Sequence, residues 1–213
     1  MNTDIETRAE EVSKILEKNN PNPKTELVHK NEYELAVSVM LSAQTTDKKV
    51  NQVTPELFSK YPTWEKLANA DLKDIQRIIR QVNFYVGKSE RLIKAGQTVV
   101  SEFDGKLPKS MNSLMKIPGI ARKSANVIMQ EVWGIAEGIV VDTHVTRVSN
   151  RLGLTTEQDP KKIEKDLMGI VPKKYWRNFS GNTVLHGRYT CIARKPKCGE
   201  CLLNKICPSA FKY

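Results

Sequence analysis

Leu114-Met-Lys-Ile-Pro-Gly-Ile-Ala-Arg-Lys-Ser-Ala-Asn-Val-Ile128 predicts two helices joined by a tight hairpin, and the expected fold is built outward from this stretch. Pro118 ends the first helix because a proline disfavours the helical conformation of the residue before it. Gly119 supplies the backbone freedom that the turn needs. The apolar residues Ile117 and Ile120 are expected to fix the turn to the core. The second helix then starts with unpaired N–H groups at its positive dipole end, where an anion can bind.

The charge of the chain favours a phosphate as that anion. Arg122 and Lys123 follow the hairpin directly, and the 213 residues carry a formal net charge of +10, with a pI of about 9.4. Either signal alone is weak, because charged faces are often only solvated and a Pro-Gly pair can be an ordinary interhelical turn. Together they predict that the hairpin binds the backbone of a polyanionic partner without reading its sequence. The residues expected at this contact are Pro118, Gly119, Ile120, Ala121 and Arg122.

All four cysteines lie near the end of the sequence with the spacing C-x6-C-x2-C-x5-C, at Cys191, Cys198, Cys201 and Cys207. Thiolates in one short loop select zinc or an iron–sulfur cluster. Disulfides are less favoured, because no apolar signal segment follows Met1 and chains in a reducing compartment seldom form them. Structural zinc sites usually use two close pairs of ligands, whereas only Cys198 and Cys201 form such a pair here. Zinc stays open as the alternative, and the wider spacing favours a 4Fe–4S cluster.

The remaining sequence predicts helix after helix, so the expected fold class is all-α. Apolar residues recur at helical spacing, and residues 33–43 are apolar almost all round, as in a buried central helix. Only Ile139-Val140-Val141 has strand character. Hydrophobic content is 39%, and no apolar run approaches the ~18 residues that would span a membrane. The remaining expectations are helices over 143–152, 160–168 and 173–189, a break over 83–87, and helix caps at Asp71, Ser110 and Asp159.

Four separated segments, in the order in which the family has them, resemble the endonuclease III family of DNA glycosylases. They are Leu41-Ser42-Ala43-Gln44, Ile117–Ile128, Val141-Asp142-Thr143-His144 and Leu185–Cys191. With the four-cysteine loop, the resemblance covers nearly the whole chain. It implies two helical lobes with DNA bound across the cleft between them. One would be a six-helix barrel with the helix–hairpin–helix, over residues 25–136. The other would be an iron–sulfur cluster domain formed by residues 1–24 and 137–213.

The resemblance also implies a catalytic pair, Lys123 and Asp142, and oxidised or ring-damaged pyrimidines in duplex DNA as substrates. A bifunctional DNA glycosylase and AP lyase needs a nucleophile that attacks the sugar C1′ and then holds an imine, and an amine can do both. A carboxylate can stabilise the cationic sugar that develops as the base leaves and can assist proton transfer. Taken alone, Lys123 would be a solvated lysine and Asp142 an N-cap for a helix starting at Thr143. The predicted reaction is base removal followed by β-elimination, as in base excision repair.

A nucleotide attacked in this way must leave the base stack, so side chains are needed to fill the gap. The resemblance assigns this role to Gln44 and to Phe84, which stands where the family more often has leucine. His144 resembles a histidine near the flipped nucleotide, with a surface or capping role as the alternative. Ala121 stands where the hairpin often has a second glycine, so its backbone is expected to adopt an ordinary conformation.

The loop between the first two cysteines contains three basic residues, Arg194, Lys195 and Lys197. A loop pinned at both ends by metal bonds can present positive charge to the DNA backbone at little ordering cost. A solvated surface loop is the alternative. The expected partner is double-stranded DNA with damaged bases or abasic sites, with no membrane association. We expect a monomer in the cytoplasm, associated with the nucleoid through DNA.

Two other functions remain open at this point. A mismatch glycosylase with the same fold and cluster would only remove bases, and such enzymes lack a lysine at the position of Lys123. A non-enzymatic DNA-binding module would have no need for both Lys123 and Asp142. Loss of activity on replacing either residue would exclude that module.

Overall fold

The computed structural model describes residues 3–213, except the side chain of Thr3, and divides into two compact units. One unit is the continuous segment Thr25–Gly134. The other joins the N-terminal residues up to Lys24 to Ile135–Tyr213. Within residues 3–213 every regular element is an α-helix or a short 3-10 helix, which confirms the predicted all-α class. No helix in this part of the chain is both long enough and apolar enough to cross a membrane.

The continuous unit is built around a central buried helix, α2, which occupies Glu32–Ser42. Eight of its eleven residues are buried, so its side chains pack against neighbours on almost every side. Such a helix gains its stability from tertiary packing. The other helices of this unit are α3 (Asp47–Lys60), α4 (Trp64–Ala68), α5 (Leu72–Ile78), α6 (Tyr85–Phe103), α7 (Met111–Leu114) and α8 (Arg122–Trp133).

Most helices of this unit begin with a side-chain cap that accepts a hydrogen bond from a first-turn amide. Asp71 Oδ1 accepts from Asp74 N at 2.8 Å, and Ser110 Oγ accepts from Ser113 N at 3.2 Å, so both predicted caps are confirmed. Asn31, Thr46 and Thr63 cap α2, α3 and α4 in the same way. Helices α6 and α8 have no side-chain cap. These two exceptions lie next to Phe84 and Lys123.

Helix α6 corrects one expectation. It begins at Tyr85, so the predicted break over residues 83–87 is wrong for its last three positions. Glycine at position 87 and the exposed side chains beside it weaken the helical pattern, but the helix begins directly after Phe84, whose backbone is left-handed and whose carbonyl accepts from the N–H of Lys88. Further along α6, Gly96 allows close packing on α4: a Cβ there would lie 2.7 Å from the backbone nitrogen of Ala68.

The second unit combines α1 (Thr3–Asn19) with α9 (Thr143–Arg151), α10 (Pro160–Ile170) and α11 (Trp176–Tyr189). Residues 173–175 form a 3-10 turn before α11, so the helix predicted over 173–189 is two elements. Asp159 caps α10 as predicted. Helix α1 packs on α10 and α11, and Arg8 Nη1 of α1 donates to the carbonyls of Leu152 and Gly153 at 3.4 Å each.

The strand character of Ile139-Val140-Val141 does not produce a strand. The three residues are buried, and the N–H of Val140 donates to Ser180 Oγ of α11 at 2.9 Å. Because the buried N–H of Val140 is satisfied by a helix side chain and not by a neighbouring strand, this β-branched run forms a buried connector.

We predict that Asp74→Asn destabilises the protein at neutral pH by about 1.5–3 kcal/mol, the usual contribution of a hydrogen bond to a charged group. Asp74 Oδ2 accepts from Lys60 Nζ at 2.8 Å and from the Tyr61 hydroxyl at 2.6 Å, and these bonds, Lys60 first, lower the pKa of Asp74 well below its usual range. A carboxylate with a lowered folded-state pKa contributes its full stability above its unfolded pKa, and the contribution is lost progressively as the pH falls below about 4 and through the folded-state pKa.

Urea denaturation at pH 7 and at pH 3 measures this difference. The wild type should exceed Asp74→Asn in unfolding midpoint at pH 7, and the gap should narrow at pH 3. Glu102→Gln, at an exposed position of α6, is the control and should leave both midpoints unchanged. An equal difference in midpoint between wild type and Asp74→Asn at both pH values would show that the charge of Asp74 does not stabilise the protein.

Candidate active site and metal centre

The hairpin between α7 and α8 has the geometry that its sequence predicts. The N–H of Ile120 donates to the carbonyl of Ile117 at 3.0 Å and closes the turn, and both side chains are buried. Gly119 has φ 91, which favours glycine, and a Cβ there would lie 2.8 Å from Met40 Cε. The turn is therefore anchored to the core and approached closely by α2.

Helix α8 begins immediately after this turn. Ala121, its N-cap, has φ −89 and ψ 169, the ordinary extended conformation expected for alanine, and its side chain supplies no cap. Arg122 and Lys123 occupy the first turn and are exposed. An uncapped helix N-terminus with exposed cations beside it offers both dipole and charge to an anion.

A cavity of about 360 Å³ lies beside the hairpin, within the continuous unit. Lys88, Arg91 and Lys116 are among its lining residues, and no carboxylate is. The rest of its wall comes from the hairpin and from apolar residues of α2 and α6. The cavity is therefore a positively charged recess next to the predicted phosphate-binding turn.

Gln44 and Phe84 share an unusual backbone conformation. Both have positive φ, 55 and 59, although neither is glycine, and such conformations persist only where the surroundings enforce them. Both side chains are exposed, Phe84 by 67%. The backbones that carry them are joined, because Asn83 Nδ2 donates to the carbonyl of Gln44 at 2.6 Å. An exposed aromatic ring on an enforced turn can enter a base stack without first having to be ordered.

Lys88 lies in the first turn of α6 and is only 6% exposed. Its ammonium donates to the carbonyls of Leu41 and Ala43 at 2.7 and 2.6 Å and to Thr45 Oγ1 at 3.1 Å. Burial, with the charge of Arg91 adding to it, lowers the pKa of Lys88 to about 8. In the sequence this lysine is not distinguishable from a solvated one, because its acceptors lie in a distant segment.

Asp142 is the N-cap of α9, as the simpler sequence interpretation expected. Its Oδ1 accepts from the N–H of His144 at 2.8 Å and of Val145 at 2.9 Å. Within residues 3–213 nothing donates to Oδ2, and the side chain is half-buried. One carboxylate oxygen therefore caps the helix, and the other makes no hydrogen bond within the described residues.

His144 is held by Arg147, one turn further along α9. Arg147 Nη2 lies 3.3 Å from His144 Nδ1 and 2.7 Å from the carbonyl of Gly187. A guanidinium can only donate, so Nδ1 is the acceptor and the neutral ring carries its proton on Nε2. Gly187 permits this packing, since a Cβ there would lie 2.8 Å from His144 Cβ.

The four cysteines are free and together line one cavity of the discontinuous unit. Burial raises the pKa of Cys201 and of Cys207, and charge on neighbouring cysteines raises both further. Adjacent thiolates repel one another unless a cation lies among them, so this donor set suits a metal centre. His186 also lines the cavity, with Nε2 3.6 Å from Cys201 Sγ, and burial lowers its pKa. Tyr189, three residues further along α11, is 57% exposed.

A buried arginine faces these thiols. Arg151 Nη1 donates to Cys191 Sγ at 3.4 Å and to the carbonyl of Ile192 at 2.8 Å, and Nη2 donates to the carbonyl of Ala193 at 2.9 Å. Its guanidinium also lies 4.3 Å from the ring centroid of Tyr213. Arg151 is 8% exposed and, within residues 3–213, pairs with no carboxylate, so its nearest polar partners are the Cys191 sulfur and the two loop carbonyls.

The same arginines shape the basic loop between Cys191 and Cys198. Arg147 Nε donates to the carbonyl of Cys191 at 3.1 Å, and Arg151 holds the next two carbonyls. Beyond these anchors, Arg194, Lys195 and Lys197 are all exposed. The loop is thus fixed at its base while its three basic side chains are exposed.

Comparison with known proteins places these features in a family. Residues 37–173 match the model for the HhH-GPD superfamily of base excision DNA repair proteins, and residues 191–207 match the iron–sulfur binding domain of endonuclease III. Endonuclease III of Synechocystis sp. is 46% identical over 203 residues, covering 95% of this chain and 93% of that protein.

Two solved structures are similar over the whole chain. A non-covalent endonuclease III–DNA complex has a TM-score of 0.88 at 37% identity and covers 100% of this chain and 98% of that one. A trapped endonuclease III–DNA covalent intermediate gives the same TM-score and identity, with 100% and 99% coverage. The match over residues 191–207 resolves the choice between zinc and an iron–sulfur cluster: the four cysteines hold a 4Fe–4S cluster.

We predict that Arg151→Met weakens retention of the cluster, because it removes a cation and an N–H donor next to a thiolate ligand. Second-sphere changes of this kind typically cost about 10–100-fold in metal affinity. Loss of the cluster's visible absorbance in the presence of an iron chelator measures the effect. Arg80→Met, at an exposed position of the other unit, should lose iron at the wild-type rate. Equal rates for Arg151→Met and wild type would show that the guanidinium does not support the cluster.

Proposed function

Because the chain belongs to the endonuclease III family within the HhH-GPD superfamily, we propose that it is a bifunctional DNA glycosylase and AP lyase of base excision repair. Its proposed substrates are oxidised pyrimidines and abasic sites in duplex DNA. The observation that carries the proposal is an exposed lysine, Lys123, in the uncapped first turn of the helix that follows the hairpin. A simple base-removing enzyme would not need an amine there.

Lys123 is the proposed nucleophile. The lone pair of its neutral amine attacks the sugar C1′, the bond from C1′ to the base breaks, and the base leaves with the electron pair and takes a proton. The nitrogen lone pair then forms the C1′=N bond while the C1′–O4′ bond breaks and O4′ takes a proton, which opens the sugar ring and gives a protonated imine between Lys123 and C1′. Loss of a proton from C2′ expels the phosphate at C3′, which is the β-elimination, and water finally releases the lysine.

Asp142 is proposed to supply charge to the same nucleotide through its unengaged Oδ2. A carboxylate stabilises the positive charge that develops on the sugar as the base departs, and it can accept a proton afterwards. The bonds from His144 N and Val145 N to Oδ1 fix its orientation, so the helix cap also positions the catalytic group. The arginine-held His144 is proposed to contact the flipped nucleotide through its Nε2–H.

Gln44 and Phe84 are proposed to fill the gap that the flipped nucleotide leaves. Both are exposed on enforced positive-φ turns of the same unit, which supports a rigid insertion. Stacking of an aromatic ring on bases is sequence-tolerant, so Phe84 fits a repair enzyme that must act in any sequence.

Contact with the DNA backbone is assigned to three groups of residues. These are the hairpin residues 118–121 with Arg122, the basic loop of Arg194, Lys195 and Lys197, and the amides that start α8. The cluster bound by Cys191, Cys198, Cys201 and Cys207 contributes rigidity to this loop and takes no part in bond cleavage. We further propose that the protein acts as a monomer in the cytoplasm, on the nucleoid.

The first test of this proposal is Lys123→Gln. With a duplex containing thymine glycol, borohydride should trap the wild type covalently by reducing the imine. Lys123→Gln keeps the length and polarity of the side chain but removes the amine, so trapping and base release should both be abolished. Lys109→Gln, at an exposed position before α7, should be trapped like wild type. A trapped Lys123→Gln adduct would show that another amine is the nucleophile.

Asp142→Asn separates the two roles of the carboxylate. Asparagine is as good an N-cap as aspartate, so α9 should remain intact, while the charge is lost. The single-turnover rate of base release should fall by about 10²-fold or more, as for other electrostatic groups at reacting centres. DNA affinity should stay near wild type. An unchanged rate would mean that Asp142 is a helix cap only.

The basic loop is tested by the salt dependence of binding. Replacing Lys195 and Lys197 by glutamine should weaken affinity for all sequences alike and flatten the slope of log K against log salt by roughly one unit per lost phosphate contact. Lys161→Gln/Lys165→Gln removes equal charge from exposed positions of α10 and is the matched control. An unchanged slope for the loop variant would exclude the loop from the interface.

A further inference from the structure

Lys88 is a buried cation without an ionic partner in the described residues. Its ammonium has three protons, and each is donated to one acceptor: two backbone carbonyls and one hydroxyl. A buried charge is costly unless its hydrogen bonds are made. Here each of the three N–H groups of the ammonium has its own acceptor, so the hydrogen-bonding capacity of Lys88 is fully used. A methionine or leucine would fill the same space without that cost, so the bonds themselves explain a lysine at this position.

The three acceptors lie on both sides of Gln44. Leu41 and Ala43 are at the C-terminal end of α2, where the last carbonyls have no partner within the helix. Thr45 is the residue after Gln44. The ammonium of Lys88 therefore holds the chain before and after Gln44, which takes φ 55.

The same lysine belongs to the first turn of the helix that carries Phe84. The N–H of Lys88 donates to the carbonyl of Phe84 at 3.1 Å, which is the first helical bond of α6. Asn83, just before Phe84, makes two further bonds to the Gln44 segment: Nδ2 to the carbonyl of Gln44 at 2.6 Å, and N–H to Thr45 Oγ1 at 3.2 Å. Two strained turns that are distant in sequence thus form one hydrogen-bonded assembly, with Lys88 buried at its base.

We propose that Lys88 is a positioning residue that locks the Gln44 turn and the Phe84 turn into one rigid pair, so that both side chains enter the duplex together at one nucleotide. This rests on the gap-filling roles proposed above for Gln44 and Phe84. Lys88 itself touches neither the sugar nor the base. Direct binding of a phosphate in the adjoining cavity is the competing role, but all three of its protons are already donated within the protein.

If Lys88 acts in this way, its loss should affect two substrates differently: a damaged duplex and a single-stranded abasic site. Base release from a stacked duplex requires the nucleotide to be flipped and the gap to be filled. Strand cleavage at an abasic site in single-stranded DNA has no stack to open. Loosening the paired turns should therefore slow the first reaction and spare the second, whereas damage to Lys123 or its helix would slow both.

The experiment compares Lys88→Met with Lys94→Met, an exposed lysine of the same helix. In single-turnover reactions on a thymine glycol duplex, Lys88→Met should be slower by about 10²-fold, the usual effect of a misplacement near 1 Å. Cleavage of a single-stranded abasic oligonucleotide should stay at the wild-type rate, and the salt slope of duplex binding should not change. Lys94→Met should match wild type in both reactions.

Asn83→Ala provides a second, surface-exposed variant in case Lys88→Met does not fold. It removes the bond to the Gln44 carbonyl and should show the same split in weaker form. In the Lys88→Met background, Phe84→Ala should cause little further loss of base release, because coupled residues are not additive. The proposal would be overturned if Lys88→Met slowed both reactions equally, or if the effects of Lys88→Met and Phe84→Ala on base release were fully additive. It would also be overturned if Lys88→Met flattened the salt slope of duplex binding by roughly one unit, because the lysine would then contact a phosphate.

Hydrogen exchange tests the lock without relying on catalysis. The amides of residues 43–45 should exchange faster in Lys88→Met than in wild type, and Lys94→Met should leave them unchanged. Unaltered exchange in Lys88→Met would refute the lock. A wild type that cleaves neither substrate would refute the proposed function, and the exchange result would still decide whether Lys88 holds the two turns.

Discussion

The polar groups at helix ends are the constraint on which this structure depends. Each helix leaves N–H groups unpaired at its start and carbonyls unpaired at its finish, and a chain with no sheet in its described part has many such ends. Most helix starts are satisfied locally, by Asn31, Thr46, Thr63, Asp71, Ser110 and Asp159. These caps stabilise the framework and leave nothing free to bind a ligand.

Several proposed functional residues lie at helix ends whose polar groups are not satisfied by an ordinary local cap. Helices α6 and α8 start without a side-chain cap, beside Phe84 and Lys123. The end of α2 receives a buried ammonium from another helix, next to Gln44. The start of α9 has a cap that uses only one oxygen of Asp142. These four departures from local capping coincide with positions where the protein is proposed to meet DNA, whereas α11, which also lacks a side-chain cap, follows directly on the 3-10 turn at 173–175.

The sequence predicted what depends on local chemistry. The hairpin, the buried central helix and the caps at Asp71, Ser110 and Asp159 follow from residue types at fixed spacings, and the structure confirms them. Helix α4 was missed because five residues are too few to show a period. The start of α6 was misplaced because the conformation of Phe84 is imposed from outside its own segment. Lys88 and Arg151 could not be distinguished from surface cations in the sequence. Their hydrogen-bond acceptors include backbone carbonyls of distant segments, and because every residue has a carbonyl, no residue type reveals such a partner.

The discontinuous unit has a consequence for the order of events during synthesis. Helix α1 is made first but packs on α10 and α11, and its Arg8 bonds to carbonyls at residues 152 and 153. Until those later segments leave the ribosome, the apolar face of α1 has no partner, whereas Thr25–Gly134 can already fold as a unit. The cysteines emerge later still. Completion of the discontinuous unit, and with it the cysteine site, therefore waits for residues 135–213, whereas the continuous unit needs none of them.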